Sequence, residues 1–432
     1  MSRFSRAYLL IVCCWGGSAC TAGADEPKPL EWRLLLIVKA KGDIRADGFP
    51  DVKYEMSKAD IEAVKTAFTE FTPAFVKSLS RGRVVWTADA VVSATPLTKV
   101  AKLGDGNWVS PDCVRDDFDK YVPPGKYDGV IVYWKGTDDS TKRSLKGGFG
   151  WTHGAGDGHG GVGYSCVNFV PARDLGRESE WTEVFLHEWL HQVEAFYGAR
   201  GVKLPRGGLH GNENYGFKHK GGWKHWYEGF INADLTEKDG SKVGLGEAAW
   251  RHGTFRDEQA IRLPEYITAE CRRANLLVNG SFENGDKSWT LRSWRSNRDA
   301  LSIDPAKGKS GKASVLLRSS TADDAMLWQK VAVKPKTRYL CCGWVRTEDV
   351  AVAEKGGSMG ANLSVWGGYE ASKSLVGTKD WTYQALVFGS GDRTEVEVGG
   401  RLGHHGSTAT GAAWFDDLVL IEIPEPGTTT RK

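Results

Sequence analysis

Apolar and polar positions follow two different rhythms along this chain, and the change falls near residue 273. Before it, strand-length apolar runs take turns with helical periodicities. Residues 32–40 and 84–93 have the length and β-branched content of strands, and 127–134 is apolar at nearly every position, as burial on both faces requires. Helical spacing runs through 58–79. A strong amphipathic helix is predicted from about residue 179 to 197, with Leu186, Leu190, Val193 and Tyr197 on one stripe and Gly198 as its stop. A shorter helix is expected around 223–231. Residues 147–170 are glycine-rich and end in a segment, 161–169, that reads as an edge strand. From Asn275 onward the rhythm shortens to brief strands separated by turn residues, the pattern of a β-sandwich or jelly roll. The fold class predicted is therefore an α+β domain followed by an all-β jelly-roll sandwich, with no tandem repeat.

The ends of the chain read differently. Residues 1–24 have the marks of a secretory signal: Arg3 and Arg6, a short apolar stretch, then Ala22-Gly23-Ala24 before Asp25. Lipoprotein processing at Cys20 competes, but the large aliphatic residue expected three places earlier is missing. The expected location is secreted or periplasmic. The division is then 1–24 signal, 25–273 catalytic-type domain, 274–424 sandwich and 425–432 disordered tail. Cys113, Cys166, Cys271, Cys341 and Cys342 remain after the leader, an odd number that permits two disulfides. Cys113 with Cys166 is one expected pair, and Cys271 with Cys341 or Cys342 the other. With 57 basic against 54 acidic residues the chain is nearly neutral, which excludes the basic excess of a nucleic-acid binder. No second long apolar run exists to serve as a membrane span. Asp116, Asp117 and Asp119 read as the wet side of a short helix.

The sharpest chemistry lies inside the predicted helix, in His187-Glu188-Trp189-Leu190-His191. Two histidines four apart project from one helical face, one turn apart, and can grip a single ion. Glu188 stands one step round, where it can act on an ion-bound water as general base and then acid. Seven of the ten histidines fall between residues 153 and 225. For the third ligand the segment 209–216 offers His210, which would keep the site's formal charge at +2, and its rival Glu213. His219 and His225 are weaker candidates. Tyr215 is a candidate oxyanion donor. His153 and His159 sit in a glycine-rich segment, read as a mobile loop, with a substrate-contacting flap or a second metal site as the alternatives.

These residues make the first domain resemble the zincin metallopeptidases, whose hallmark is HExxH on the active-site helix. The resemblance implies zinc held by His187 and His191, Glu188 as general base, and an upstream edge strand that aligns the substrate backbone, a role falling here to 161–169. The chain departs from the metzincin continuation, since Gln192-Val193-Glu194 follows the second histidine; the Asn212-Glu213 pair is similar to the gluzincin arrangement instead.

Asn275-Leu276-Leu277-Val278-Asn279-Gly280-Ser281-Phe282-Glu283 opens the second domain, and the segment from Gly411 to Leu420 closes it. Together they resemble the end strands of carbohydrate-binding modules of the family 4/9 type. That resemblance implies a structural Ca2+ near Glu283 and Asp416, and Trp294, Trp328, Trp344, Trp366 and Trp381 are candidates for stacking on sugar rings. The expected function is a secreted zinc endopeptidase acting on protein or glycoprotein, tethered to polysaccharide or glycan by its second module. Two rivals stand beside it: a non-catalytic glycan-binding or adhesion protein, and a metal-dependent hydrolase of a non-peptide bond.

Overall fold

The computed structural model describes residues 28–45, 51–153, 161–177, 179, 181–296, 300–352 and 359–424. The leader, Cys20, His159 and the 425–432 tail lie outside the described residues, as do the side chains of His153 and His219. The amino-terminal half is built on one five-stranded sheet. Its strands are β1 (Leu30–Val38), β2 (Val84–Val92), β3 (Gly129–Trp134), β4 (Gly150–His153) and β5 (Gly163–Asn168), in the spatial order β2-β1-β3-β5-β4. β2, β1, β3 and β5 run parallel; β4 is antiparallel to β5 and forms the edge. Helix packing on both faces explains why β3 is buried at all six positions.

The edge therefore differs from the sequence expectation. Residues 161–169 do yield a strand, β5, but β4 covers its outer side. Gly163–Val167 is buried at every position, as an inner strand is, whereas the four-residue β4 is too short to show a periodicity.

The helical expectation over 58–79 is met by Lys58–Thr66 and Thr72–Leu79, joined through a π turn at Ala67–Phe71. The central helix, here α1, spans Glu183–Gly198. It is buried on most of its circumference: Trp189 meets Trp32 and Trp86 edge-on at 5.5 and 5.3 Å, and Gln192 lies against the glycines of β3 and β5. Helix α2 (His219–Asn232) packs beside it. Asp117 corrects another expectation. It is buried, not wet, because Lys39 at the end of β1 pairs with it at 2.7 Å and Ser93 donates to it at 2.6 Å. A buried charge is tolerable only with such partners.

The carboxy-terminal half is an antiparallel sandwich. β6 (Thr290–Ser293), β9 (Ala325–Ala332), β13 (Glu395–Leu402) and β11 (Ala361–Val365) form one sheet in the order β6-β9-β13-β11. β7 (Leu301–Asp304), β8 (Ser314–Asp323), β14 (Ala409–Ile423), β10 (Arg338–Val352) and β12 (Gly377–Gly389) form the other, in the order β7-β8-β14-β10-β12. The inward residues, among them Val315, Leu327, Leu363, Val398 and Phe415, make the core between the sheets. The two halves also touch directly. Leu340, Cys342, Val419, Ile421 and Ile423, on the outer face of the five-stranded sheet, pack with Ile261, Tyr266, Ile267 and Cys271, and Arg338 bonds Glu258 at 2.5 Å. The second half is seated against the first rather than strung from it. All five described cysteines are free thiols, so neither expected disulfide is present.

Candidate metal centre

The metal expectation begins from α1. One helical turn separates His187 from His191, and both sit on the stripe of the helix that the core leaves half-buried. Their ring centroids are 4.8 Å apart. A turn brings the third ring. Gly207 and Gly208 take left-handed φ of 83° and 59°, a pair of conformations costly for any residue with a Cβ, and a Cβ on Gly208 would lie 2.1 Å from the Glu194 carboxylate. The chain can thus fold tightly under α1 and present His210 from a single 3-10 turn, Gly208–His210. His210 Nε2 lies 3.2 Å from both His191 Nε2 and His187 Nε2. For a tetrahedral ion with bonds of about 2.0–2.1 Å to nitrogen, the edge between two ligands is roughly 3.3 Å.

The outer nitrogens explain which atoms face inward. Tyr227 on α2 gives its one proton to the Glu183 carboxylate, so its oxygen accepts from His187 Nδ1 at 2.7 Å. His191 Nδ1 donates to Glu194 Oε2 at 3.1 Å, and Glu194 Oε1 accepts the Leu209 N–H at 2.9 Å. With both Nδ1 atoms protonated, His187 and His191 turn lone pairs toward the centre. Such outer partners fix the tautomer and raise the basicity of an imidazole ligand. The residues thus suit a divalent ion of zinc's type: three converging imidazole nitrogens, two of them held from behind. Burial pushes the Tyr227 phenol well up, and Glu183 adds to this, so the phenol stays protonated for its role.

Glu188 is buried, and Thr152 Oγ1 on β4 donates to its Oε2 at 2.6 Å. Desolvation pushes its carboxyl up to about 7, opposed by Thr152 and His191. The edge strand passes close enough that a Cβ on Gly150 would lie 2.1 Å from Glu188 Oε1. These groups wall a cavity of about 840 Å³ whose lining includes Phe149, Trp151, Thr152, Trp181, the three histidines, Glu188 and Trp223.

Among the described residues, His187, His191 and His210 are the one set of three His, Cys, Asp or Glu side chains whose ligand atoms come together, all within 4.8 Å. Glu213 is exposed on the next turn and takes no part, and His225 is likewise exposed. Tyr215 stands elsewhere. Its hydroxyl donates to Glu237 and accepts the Arg206 N–H at 2.8 Å, and it does not line the cavity. Tyr227, Glu183, Glu194 and Thr152 were not singled out from sequence. Glu183 and Glu194, at −4 from His187 and +3 from His191, lie on the same helical face and were detectable there; Tyr227 and Thr152 arrive from other elements.

The two carboxylates assigned to calcium hold a turn. Glu283 Oε1 accepts the N–H groups of Lys312 and Ala313 at 2.8 and 2.9 Å, and Asp416 Oδ2 those of Lys309 and Ser310 at 2.7 and 3.1 Å. On the outer face of the four-stranded sheet, Arg292 and Arg401 lie 4.1 and 5.0 Å from the Trp366 ring, which stacks on His405. Tyr369 and Trp294 are widely exposed nearby in sequence to this face, and Arg401 Nη1 and Trp328 Nε1 are buried without a hydrogen-bond partner. Trp344 instead packs on Tyr383 of the other sheet.

No helix among the described residues is long and apolar enough to cross a membrane. No protein-family model and no curated protein matches the chain. Several solved structures match part of it. A family 61 carbohydrate-binding module in complex with β-1,4-galactotriose does so at 18% identity, over 34% of this chain and 99% of its own, with a TM-score of 0.26. A family 16 carbohydrate-binding module matches at 26% identity over 34% and 100%, TM-score 0.26. The CBM22-1 xylan-binding domain from Paenibacillus barcinonensis Xyn10C matches at 12% over 33% and 92%, TM-score 0.23. All three are carbohydrate-binding modules and each is similar to about a third of this chain; scores at this level carry no further weight.

Proposed function

We propose that this protein is an exported zinc-dependent endopeptidase with a sandwich that binds glycans or glycoproteins. One observation carries the reading: three imidazole nitrogens meet beside a buried carboxylate in the wall of a large cleft. Zinc held there supplies Lewis acidity and lowers the pKa of a water to about 7. Three neutral ligands leave the ion its full charge. Glu188, buried beside the three histidines, would take the proton of the attacking water and return it to the leaving nitrogen. Thr152 fixes Oε2, which leaves Oε1 for the exchange.

The edge strand favours a polypeptide over other substrates. Phe149 O accepts from Asn168 N, so by the alternation of an antiparallel ladder Gly150 and Thr152 turn their amide groups away from β5. That row suits an extended peptide. Metal analysis with digestion of an unfolded protein tests the reading. Wild type is expected to hold one zinc and to cleave; Glu188→Gln is expected to keep the zinc while kcat falls by about 100- to 10,000-fold. Zinc without cleavage of any polypeptide would point to hydrolysis of another bond.

A second reading, glycan capture without catalysis, is favoured by the Trp366 cluster with its buried unpartnered Arg401 Nη1. It requires that Glu188→Gln change nothing measurable.

A further inference from the structure

The cleft has more apolar wall than water activation needs. Phe149 and Trp181 are 58% and 43% exposed, yet their rings meet edge to face at 4.9 Å, inclined by 62°. Each ring shields part of the other, yet much of both residues still faces solvent, an apolar surface that an incoming group can cover. Their positions tie them to the chemistry. Phe149 directly precedes β4, whose Thr152 orients Glu188, and Trp181 stands two residues before the start of α1. Trp151, Val184, Ala195 and Trp223 continue the same wall.

The charged lining is one-sided. Glu183, Glu188 and Glu194 face the cavity, and no Lys or Arg is among its described lining residues. Apart from the ion itself, an acidic side chain or the carboxylate of a chain terminus would find only carboxylates among the charged lining groups. The ring geometry also matters. A pyranose stacks on a flat, open ring face; two rings set edge to face make a cup instead, which suits a rounded apolar side chain.

Resting on the endopeptidase reading above, we infer that Phe149 and Trp181 form the specificity site of this cleft, receiving a bulky apolar side chain next to the bond cleaved and rejecting acidic ones.

The test uses zinc-loaded full-length protein and three internal peptides that differ at one position, Phe, Ala or Glu. Cleavage is measured by kcat/KM, and binding separately in the Glu188→Gln background by calorimetry. Wild type is expected to favour the Phe peptide over the Ala peptide by at least tenfold, with the Glu peptide poorest. Phe149→Ala and Trp181→Ala are expected to lose most of that preference, mainly through KM and binding, while zinc content stays at one equivalent. Zinc-loaded variants that keep the full Phe preference would overturn the assignment and leave the peptidase reading standing. Wild type that carries zinc but neither binds nor cleaves any of the peptides would overturn the peptidase reading itself. Binding that follows an attached sugar rather than the side chain would also overturn the assignment.

Discussion

Two polar clusters, one in each half, differ in what the neighbouring groups present to them. At Glu283 and Asp416 acceptor atoms meet donors: four backbone N–H groups of residues 309–313 already point at the two carboxylates. At His187, His191 and His210 three ring nitrogens converge, and the outer nitrogens of the first two are committed to Tyr227 and Glu194, so those two turn lone pairs inward, where a cation can join them. Both clusters were read from sequence as ion sites. The difference lies in what the neighbouring backbone supplies, and the backbone is what residue identity conveys least.

The comparison is sharpened most by removing one donor of each kind. His210→Ala is expected to fall below about a tenth of an equivalent of zinc after dialysis, and Glu213→Ala to keep full loading. Retention by the first variant would place the third ligand elsewhere. The next effect is smaller. Tyr227→Phe leaves His187 in place but removes its acceptor, and zinc affinity is expected to weaken by about 10- to 100-fold, read by competition with a chelator.

The smallest effect belongs to the sandwich. Burial holds the Asp416 carboxyl up at about 6, with neighbouring Asp417 adding to it and the backbone N–H groups opposing. A carboxylate whose folded pKa is raised binds more protons folded than unfolded, so stability drops as pH rises from about 4 to 6. The unfolding midpoint of wild type is expected to decline across that window, and Asp416→Asn to flatten the decline. Added Ca2+ is expected to leave the midpoint unchanged; a rise of several degrees would support a calcium site at Glu283 and Asp416 instead.

How much was legible depended on whether a feature lay within one element. The helical spacing of His187, Glu188 and His191 survives into the structure because a single α-helix enforces it. His210 was within reach because the Gly207-Gly208 pair marks a tight turn just before it. The edge strand was misplaced: β5 is the longer strand, and β4 has only four residues beside glycines. Tyr215 is named for the oxyanion role a phenol can fill, but Glu237 and the Arg206 amide hold its hydroxyl away from the cavity. Tyr227, which does reach His187, comes from forty residues away, a separation no local pattern reports.

The seam formed by Leu340, Val419, Ile421 and Ile423 against Ile261, Tyr266 and Ile267 bears on how the chain can be divided. Cutting near residue 273 would leave a greasy scar on each fragment, and each would tend to self-associate. Experiments on either half in isolation therefore need that scar recoated with polar residues first.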